Sequence, residues 1–211
     1  MRLFALYFMT GDDSMRLIRY VTANDAPRYG WVYEDKIGPI EGTPFGDYRR
    51  LDAEIPIQTA RLLAPVQPSK IICVGRNYAE HAREQNVEVP EIPLLFMKPP
   101  TAIIGPDGAI VLPPQSKQVE HEGELAVVMG RAGRWIQANE ALGYVMGYTV
   151  ANDVTARDLQ RRDGQWTRGK GFDTFCPIGP WIETELDPTD VLVQTRVNGE
   201  MRQMASTREM I

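Results

Sequence analysis

Between Met15 and Val66, apolar and polar residues alternate in short runs, "MRLIRYVTA", "YGWVYEDKIGPI" and "AEIPIQTARLLAPV", with glycine, proline and aspartate in and between them. Alternation with a period of two predicts half-buried strands, and the punctuation predicts tight turns between them. A small β-rich N-terminal domain over residues 15–65 follows from this pattern. Past the breaker "VQPSK" the pattern changes: "IICVG" is a continuous apolar run of buried-strand length, and "RNYAEHAREQN" has helix-forming composition. "PLLFMKPPTAI" and "GAIVLPP" are proline-bounded, which suits edge strands or extended loops. "GELAVVMG" and "YVMGYTVAND" predict two strands joined through a short helix, "QANEALG", closed by glycine. Thr155 and Asp158 form a capping-box pattern that opens the helix "ARDLQRR". Asn198-Gly199 sits between two alternating runs, the strongest short-range hairpin signal. Ser206 and Glu209 in "STREM" repeat the capping-box pattern just before the last residue, Ile211, so the fold is expected to lack its C-terminal part. A second "MRL" at Met15 leads directly into the first strand, which makes residues 1–14 an expected extension outside the fold. The fold class is α+β and β-rich, with a main domain over residues 66–211.

Composition narrows the partners. With 211 residues, 43% hydrophobic and 24% charged, the chain can bury one sizeable core and is far from the signature of disorder. Its 18 glycines and 16 prolines favour a turn-rich, strand-rich fold. A net charge of -5 with no block of Lys or Arg gives no phosphate-neutralising surface, so nucleic acid is excluded as a partner. No segment reaches the ~20 apolar residues of a membrane span, and "MRLFALYFMTGDDS" is followed by no small-residue cleavage site. A cytoplasmic protein with no membrane association is the expectation. Cys73 and Cys176 lie in apolar runs too far apart to suggest a zinc site and form no disulfide framework; they read as buried thiols in a reducing compartment.

The candidate chemistry centres on "VEHEGELAVVMG". Side chains on a strand alternate faces, so Glu122 and Glu124 project from one side roughly 7 Å apart. The apolar continuation implies that this side is partly covered, and a cation between the carboxylates relieves both their repulsion and their desolvation. Carboxylate oxygens suit Mg or Mn, with Ca as an alternative. The competing reading is two solvated glutamates at the mouth of a strand. A third ligand decides between them, and Asp153, at the end of "YVMGYTVAND", is the candidate; its other role, helix N-cap, can be filled by Thr155. Three protein carboxylates leave positions open for water or a chelating substrate. His81 and Glu84 are three apart in "YAEHARE", on one face if that segment is helical, where Glu84 can orient the imidazole as a general base or merely make a surface contact. Lys170 in "RGKGF" is either a solvated loop lysine or an anion-holding group. Arg157 and Gln160 share a helix face that points back toward the carboxylates or simply faces solvent.

The ordered motifs "ICVGRNYAEHARE", "LFMKPPTAIIGP", "HEGELAVVMG", "GYTVANDVTARDLQ", "WTRGKGFDTFCPIGPWI" and "VNGEMRQMASTREMI" resemble the fumarylacetoacetate hydrolase family, particularly its short acylpyruvase and oxaloacetate decarboxylase branch. The resemblance covers most of residues 70–211. It implies a mixed β-roll with short helices, preceded by a small β domain and paired as a homodimer. It implies that Glu122, Glu124 and Asp153 hold Mg or Mn and that no organic cofactor is needed. It implies that His81 and Glu84 form the catalytic dyad, that Lys170 is catalytic, that Arg157 and Gln160 hold substrate oxygens, and that Thr207 contacts the substrate carboxylate. The implied activity is hydrolysis or decarboxylation of short 2-oxo or 2,4-dioxo acids through an enolate, with a dienoate isomerase or decarboxylase of aromatic catabolism as the alternative. Family members continue beyond the "EMI" position, so an inactive, truncated chain is a further alternative.

Overall fold

The structure, a computed structural model, describes residues 3–4, 15–23, 25–78 and 92–211. The N-terminal alternating runs become the consecutive antiparallel strands Arg16–Val21, Arg28–Tyr33 and Lys36–Gly42, followed by the short strands Tyr48–Arg50, Ile55–Pro56 and Arg61–Leu63. Their inward residues Ile18, Tyr20, Val32 and Ile37 form one buried cluster, against which Leu62 and Trp181 pack. This is the half-buried pattern that alternation predicts.

Among the described residues, ten strands belong to one sheet, whose central path runs Gly123–Met129, Val145–Asn152, Cys176–Glu183, Arg16–Val21, Arg28–Tyr33, Lys36–Gly42, Tyr48–Arg50. The sheet crosses the boundary drawn at "VQPSK": Leu17 pairs with Ile182 and Arg16 with Glu183. A second buried cluster, Leu17, Ile40, Val128 and Ile182, likewise draws on both sides of that boundary. The small N-terminal unit and the main domain therefore share a hydrogen-bonded sheet and a core.

The loops around the sheet follow local backbone chemistry. Asn198 and Gly199, at φ +52° and +86°, join Leu192–Val197 to Glu200–Ser206 in a two-residue turn, the left-handed pair that an Asn-Gly hairpin uses. Leu3–Phe4 pairs antiparallel with that hairpin at Val197 and Arg196; residues 1–2 and 5–14 of the expected extension lie outside the described residues. Ile71–Gly75 and Leu94–Lys98 form a separate two-stranded sheet. Two α-helices, Arg157–Asp163 and Thr167–Lys170, follow the strand that ends at Asn152. The segment "QANEALG" forms a 3-10 helix, Ala138–Tyr144, which runs through Gly143 instead of stopping at it. Ser206 caps the 3-10 turn Thr207–Glu209 by accepting the Arg208 amide. The helix expected over "RNYAEHAREQN" falls largely outside the described residues. No helix of the described residues is long and apolar enough to cross a membrane.

Candidate metal centre

The antiparallel register of Gly123–Met129 on Val145–Asn152 builds the centre. Gly123 lies opposite Asn152, and one rung further the Asp153 amide donates to the Glu122 carbonyl at 2.8 Å. The Asn152 side chain accepts the Glu122 amide at 2.9 Å. Strand alternation then places Glu124 on the side of Glu122, and ligand oxygens of Glu122, Glu124 and Asp153 all lie within 4.8 Å of one another. Beneath them Val154, Ala156, Leu159 and Phe175 form a third buried cluster.

Two buried lysines face these carboxylates. Lys170, 2% exposed, contacts Asp153 Oδ2, lies 3.3 Å from both Glu122 oxygens and donates to the Thr155 hydroxyl at 2.9 Å. Its ammonium also sits over the Phe96 ring at 4.8 Å, which holds the charge in place where water is scarce. Lys98, equally buried, reaches Asp153 Oδ1 at 2.5 Å and the Val154 carbonyl at 3.2 Å. Lys98 was not singled out from sequence. The signal available was a lysine closing the apolar strand "LLFMK" immediately before two prolines.

Arg157 completes the cationic side, 2.7 Å from Glu122 and 3.0 Å from Glu120, and donates to Gln160 at 2.8 Å. Arg157 and Lys170 are thus brought against the same glutamate, and Gln160 is tied to it only through Arg157. Thr155 does not cap the helix: Ala156 is the N-cap, without a side-chain bond, and the Thr155 hydroxyl donates to Glu122 at 2.6 Å. The tertiary carboxylate outcompetes the local cap because it is charged and close. Asp158 instead accepts from the Ser116 hydroxyl and the Lys117 amide. Thr207 is buried, and its hydroxyl accepts the Val191 amide at 2.7 Å; the turn it opens ends at Met210, which bridges to Tyr78. His81 and Glu84 lie outside the described residues.

The charges titrate unequally. Burial favours the neutral form of Glu122, but Lys170, Arg157 and the Thr155 hydroxyl overcome it and hold the carboxyl below its usual range. Glu124 makes no ion pair among the described residues, and burial, together with the Asp153 and Glu122 carboxylates, pushes it up to about 8. Burial likewise lifts the Tyr78 hydroxyl to about 12, helped by Glu124 and Glu209. The thiols of Cys73 and Cys176 rise to about 12 and about 11, chiefly by burial, so both stay protonated; Cys176 is buried as expected, whereas Cys73 is only partly buried.

One further residue positions the ligands. The Gln203 side-chain amide accepts the Gly123 amide at 2.9 Å and donates to the Gly123 carbonyl at 2.6 Å, acting as a strand partner for the peptide between Glu122 and Glu124. A Cβ on Gly123 would fall 2.2 Å from Thr195 Oγ1, so only glycine fits there. Gln203→Leu leaves both backbone groups without that partner and is expected to lower stability by about 1–3 kcal/mol. It should also weaken Mn binding by about tenfold, as outer-shell losses do. Calorimetric titration with Mn beside a melting curve checks this; unchanged metal affinity in a destabilised variant would leave Gln203 with a purely structural role.

The family model for the fumarylacetoacetate hydrolase C-terminal domain matches residues 70–211, and the Rv2993c-like N-terminal model matches residues 15–65. The chain belongs to the fumarylacetoacetate hydrolase family. Within that family it is 50% identical over 171 residues to protein Rv2993c of Mycobacterium tuberculosis, covering 80% of this chain and 64% of that one. It is 48% identical over 171 residues to the mitochondrial oxaloacetate tautomerase Fahd2a of Rattus norvegicus, covering 77% of this chain and 55% of that one. A solved 5-carboxymethyl-2-hydroxymuconate delta-isomerase of Mycobacterium smegmatis superposes with a TM-score of 0.85 at 46% identity, covering 93% of this chain and 77% of that one. The chain thus spans less than two thirds of the length of these two curated relatives.

The residues present suit a divalent ion of the kind this family implies. Oxygens bound to one octahedral cation at about 2.1 Å stand roughly 3–4 Å apart. The carboxylate oxygens lie within 4.8 Å of one another, so small side-chain adjustments gather them around one ion. Glu124, without an ion pair among the described residues beside two other carboxylates, is the group such an ion would neutralise.

Proposed function

We propose that this chain is a divalent-metal-dependent enzyme acting on short 2-oxo or 2,4-dioxo acids through their enolates, by carbon-carbon hydrolysis of acylpyruvates or decarboxylation of oxaloacetate. The observation that carries the reading is the convergence of Glu122, Glu124 and Asp153 with a buried lysine, Lys170, at the same oxygens. A bound Mg or Mn ion would supply the Lewis-acidic charge that holds a chelating oxo acid and favours its enolate.

The remaining work falls to the chain's own side chains. Lys170 keeps a fixed positive charge beside the centre, where an oxyanion develops on the substrate. Arg157 and Gln160, hydrogen-bonded to one another beside Glu122, offer donors to substrate oxygens, and Thr207 is assigned to the substrate carboxylate. His81, oriented by Glu84, accepts a proton from water for hydrolysis, or from the substrate carbon next to the 2-oxo group for tautomerisation. The residues expected around the site call for no organic cofactor. A homodimer is part of the proposal.

A second reading, proton relocation without bond cleavage, is favoured by the names of two relatives, an oxaloacetate tautomerase and a muconate delta-isomerase. Both reactions pass through the same enolate and need the same dyad. Oxaloacetate and acetylpyruvate, each supplied with Mn or with EDTA, separate the readings. Enol absorbance follows tautomerisation, while released pyruvate reports cleavage of either acid. Metal-dependent pyruvate release is the expected result. Enol loss without pyruvate would move the assignment to tautomerase, and equal rates in EDTA would remove metal from the proposal.

A further inference from the structure

A cavity of about 560 Å³ opens at the seam between the N-terminal unit and the main domain and shares no residue with the carboxylate centre. Arg19 pairs with Leu63 and Val21 with Arg61, and directly opposed residues share a sheet face, so both guanidinium groups belong to one face. Both arginines line the cavity. Neither makes an ion pair among the described residues, and no described acidic side chain lines the space; Asp107, in the turn beside it, is exposed and outside the lining. Arg19 stands opposite Tyr29 across the sheet and favours the ionised form of its hydroxyl against the effect of burial.

Most of the other lining side chains are aliphatic. Leu63, Val66 and Ile104 line it together with Pro68, Pro100 and Pro106. Gln67 adds one polar amide. The wall is fixed: Gly105 packs so tightly on the 63–64 backbone that a Cβ would meet Ala64 N at 2.6 Å. Concave apolar space with a few converging polar groups is the usual form of a small-molecule site. Planar guanidinium forks match the two oxygens of a carboxylate.

We infer that this cavity binds a small organic acid: one carboxylate held between Arg19 and Arg61, and a flat apolar body lying against the prolines and Ile104. This site stands independently of the proposed activity, because it uses neither the carboxylates nor a metal. Benzoate is the probe, titrated calorimetrically into the whole chain in EDTA so that binding at a metal-dependent centre is suppressed, with inorganic phosphate run in parallel. Saturable benzoate binding, weakened about tenfold or more by Arg19→Met and by Arg61→Met, is expected for the loss of one charge-assisted pair. Methionine keeps the aliphatic stem, and a melting curve confirms that each variant folds. Phosphate, lacking the apolar body, should bind more weakly than benzoate. No saturable binding to the unaltered chain, unchanged affinity in both variants, or tighter binding of phosphate than of benzoate would each overturn the inference.

Discussion

Asp153→Asn is expected to abolish detectable Mn binding and to destabilise the fold by about 3–5 kcal/mol, the range seen when a buried pair loses one charge. Asp153 is 2% exposed and stands between two buried ammonium groups, Lys98 on Oδ1 and Lys170 on Oδ2. Asparagine keeps the shape but offers a single acceptor. Its amide group turns donors toward one of two groups that can only donate, so one buried ammonium is left without an anion. Against a total stability of about 5–15 kcal/mol, that is a large share. Asp158→Asn serves as the contrast, because Asp158 accepts from a hydroxyl and a backbone amide and stands against no buried ammonium group, so this variant should melt much closer to the unaltered chain. Adding Lys98→Met to Asp153→Asn removes one orphaned charge and should recover part of the lost stability, a coupling that a double-mutant cycle measures. Melting of Asp153→Asn within about 1 kcal/mol of the unaltered chain, with Mn affinity retained, would remove Asp153 from the centre.

The carboxylates were legible because their placement rests on local rules. Alternation put Glu122 and Glu124 on one side, and a short connection put their strand next to the one ending before Asp153. Asn198-Gly199 was legible for the same reason, since a left-handed backbone pair is written in two residues. The rest depends on contacts far apart in sequence. Lys98 lies 55 residues from Asp153 and Gln203 lies 80 from Gly123, and no periodicity links such positions. Thr155 was misread as a cap because the competing acceptor, Glu122, becomes its neighbour only after the sheet forms. The domain boundary at "VQPSK" is a true change of pattern, yet the sheet crosses it through Leu17 and Ile182, a pairing set by shared burial on a common sheet face.

Glu124 is expected to tie metal affinity to pH, and the sign follows from its direction of shift. In the metal-free fold its carboxyl is pushed up to about 8, whereas an unfolded glutamate titrates near ~4.3. Between those values the folded chain holds a proton that the unfolded chain has released. Stability of the metal-free protein should therefore fall as pH rises from about 5 to 8, by at most about 1.4 kcal/mol per unit, and level off above 8. Mn must displace the same proton, so its affinity should rise by up to about tenfold per pH unit until the carboxyl is ionised, then flatten. Glu122, held below the usual carboxylate range, contributes no proton in this window. Titration with Mn at pH 6, 7, 8 and 9, repeated in two buffers of different ionisation enthalpy, measures both the affinity and the proton released. Glu124→Gln should bind Mn more weakly and lose most of the slope. A slope that persists in this variant would assign the proton to a group other than Glu124, and a flat profile in the unaltered chain would mean that Glu124 is already ionised before the metal arrives.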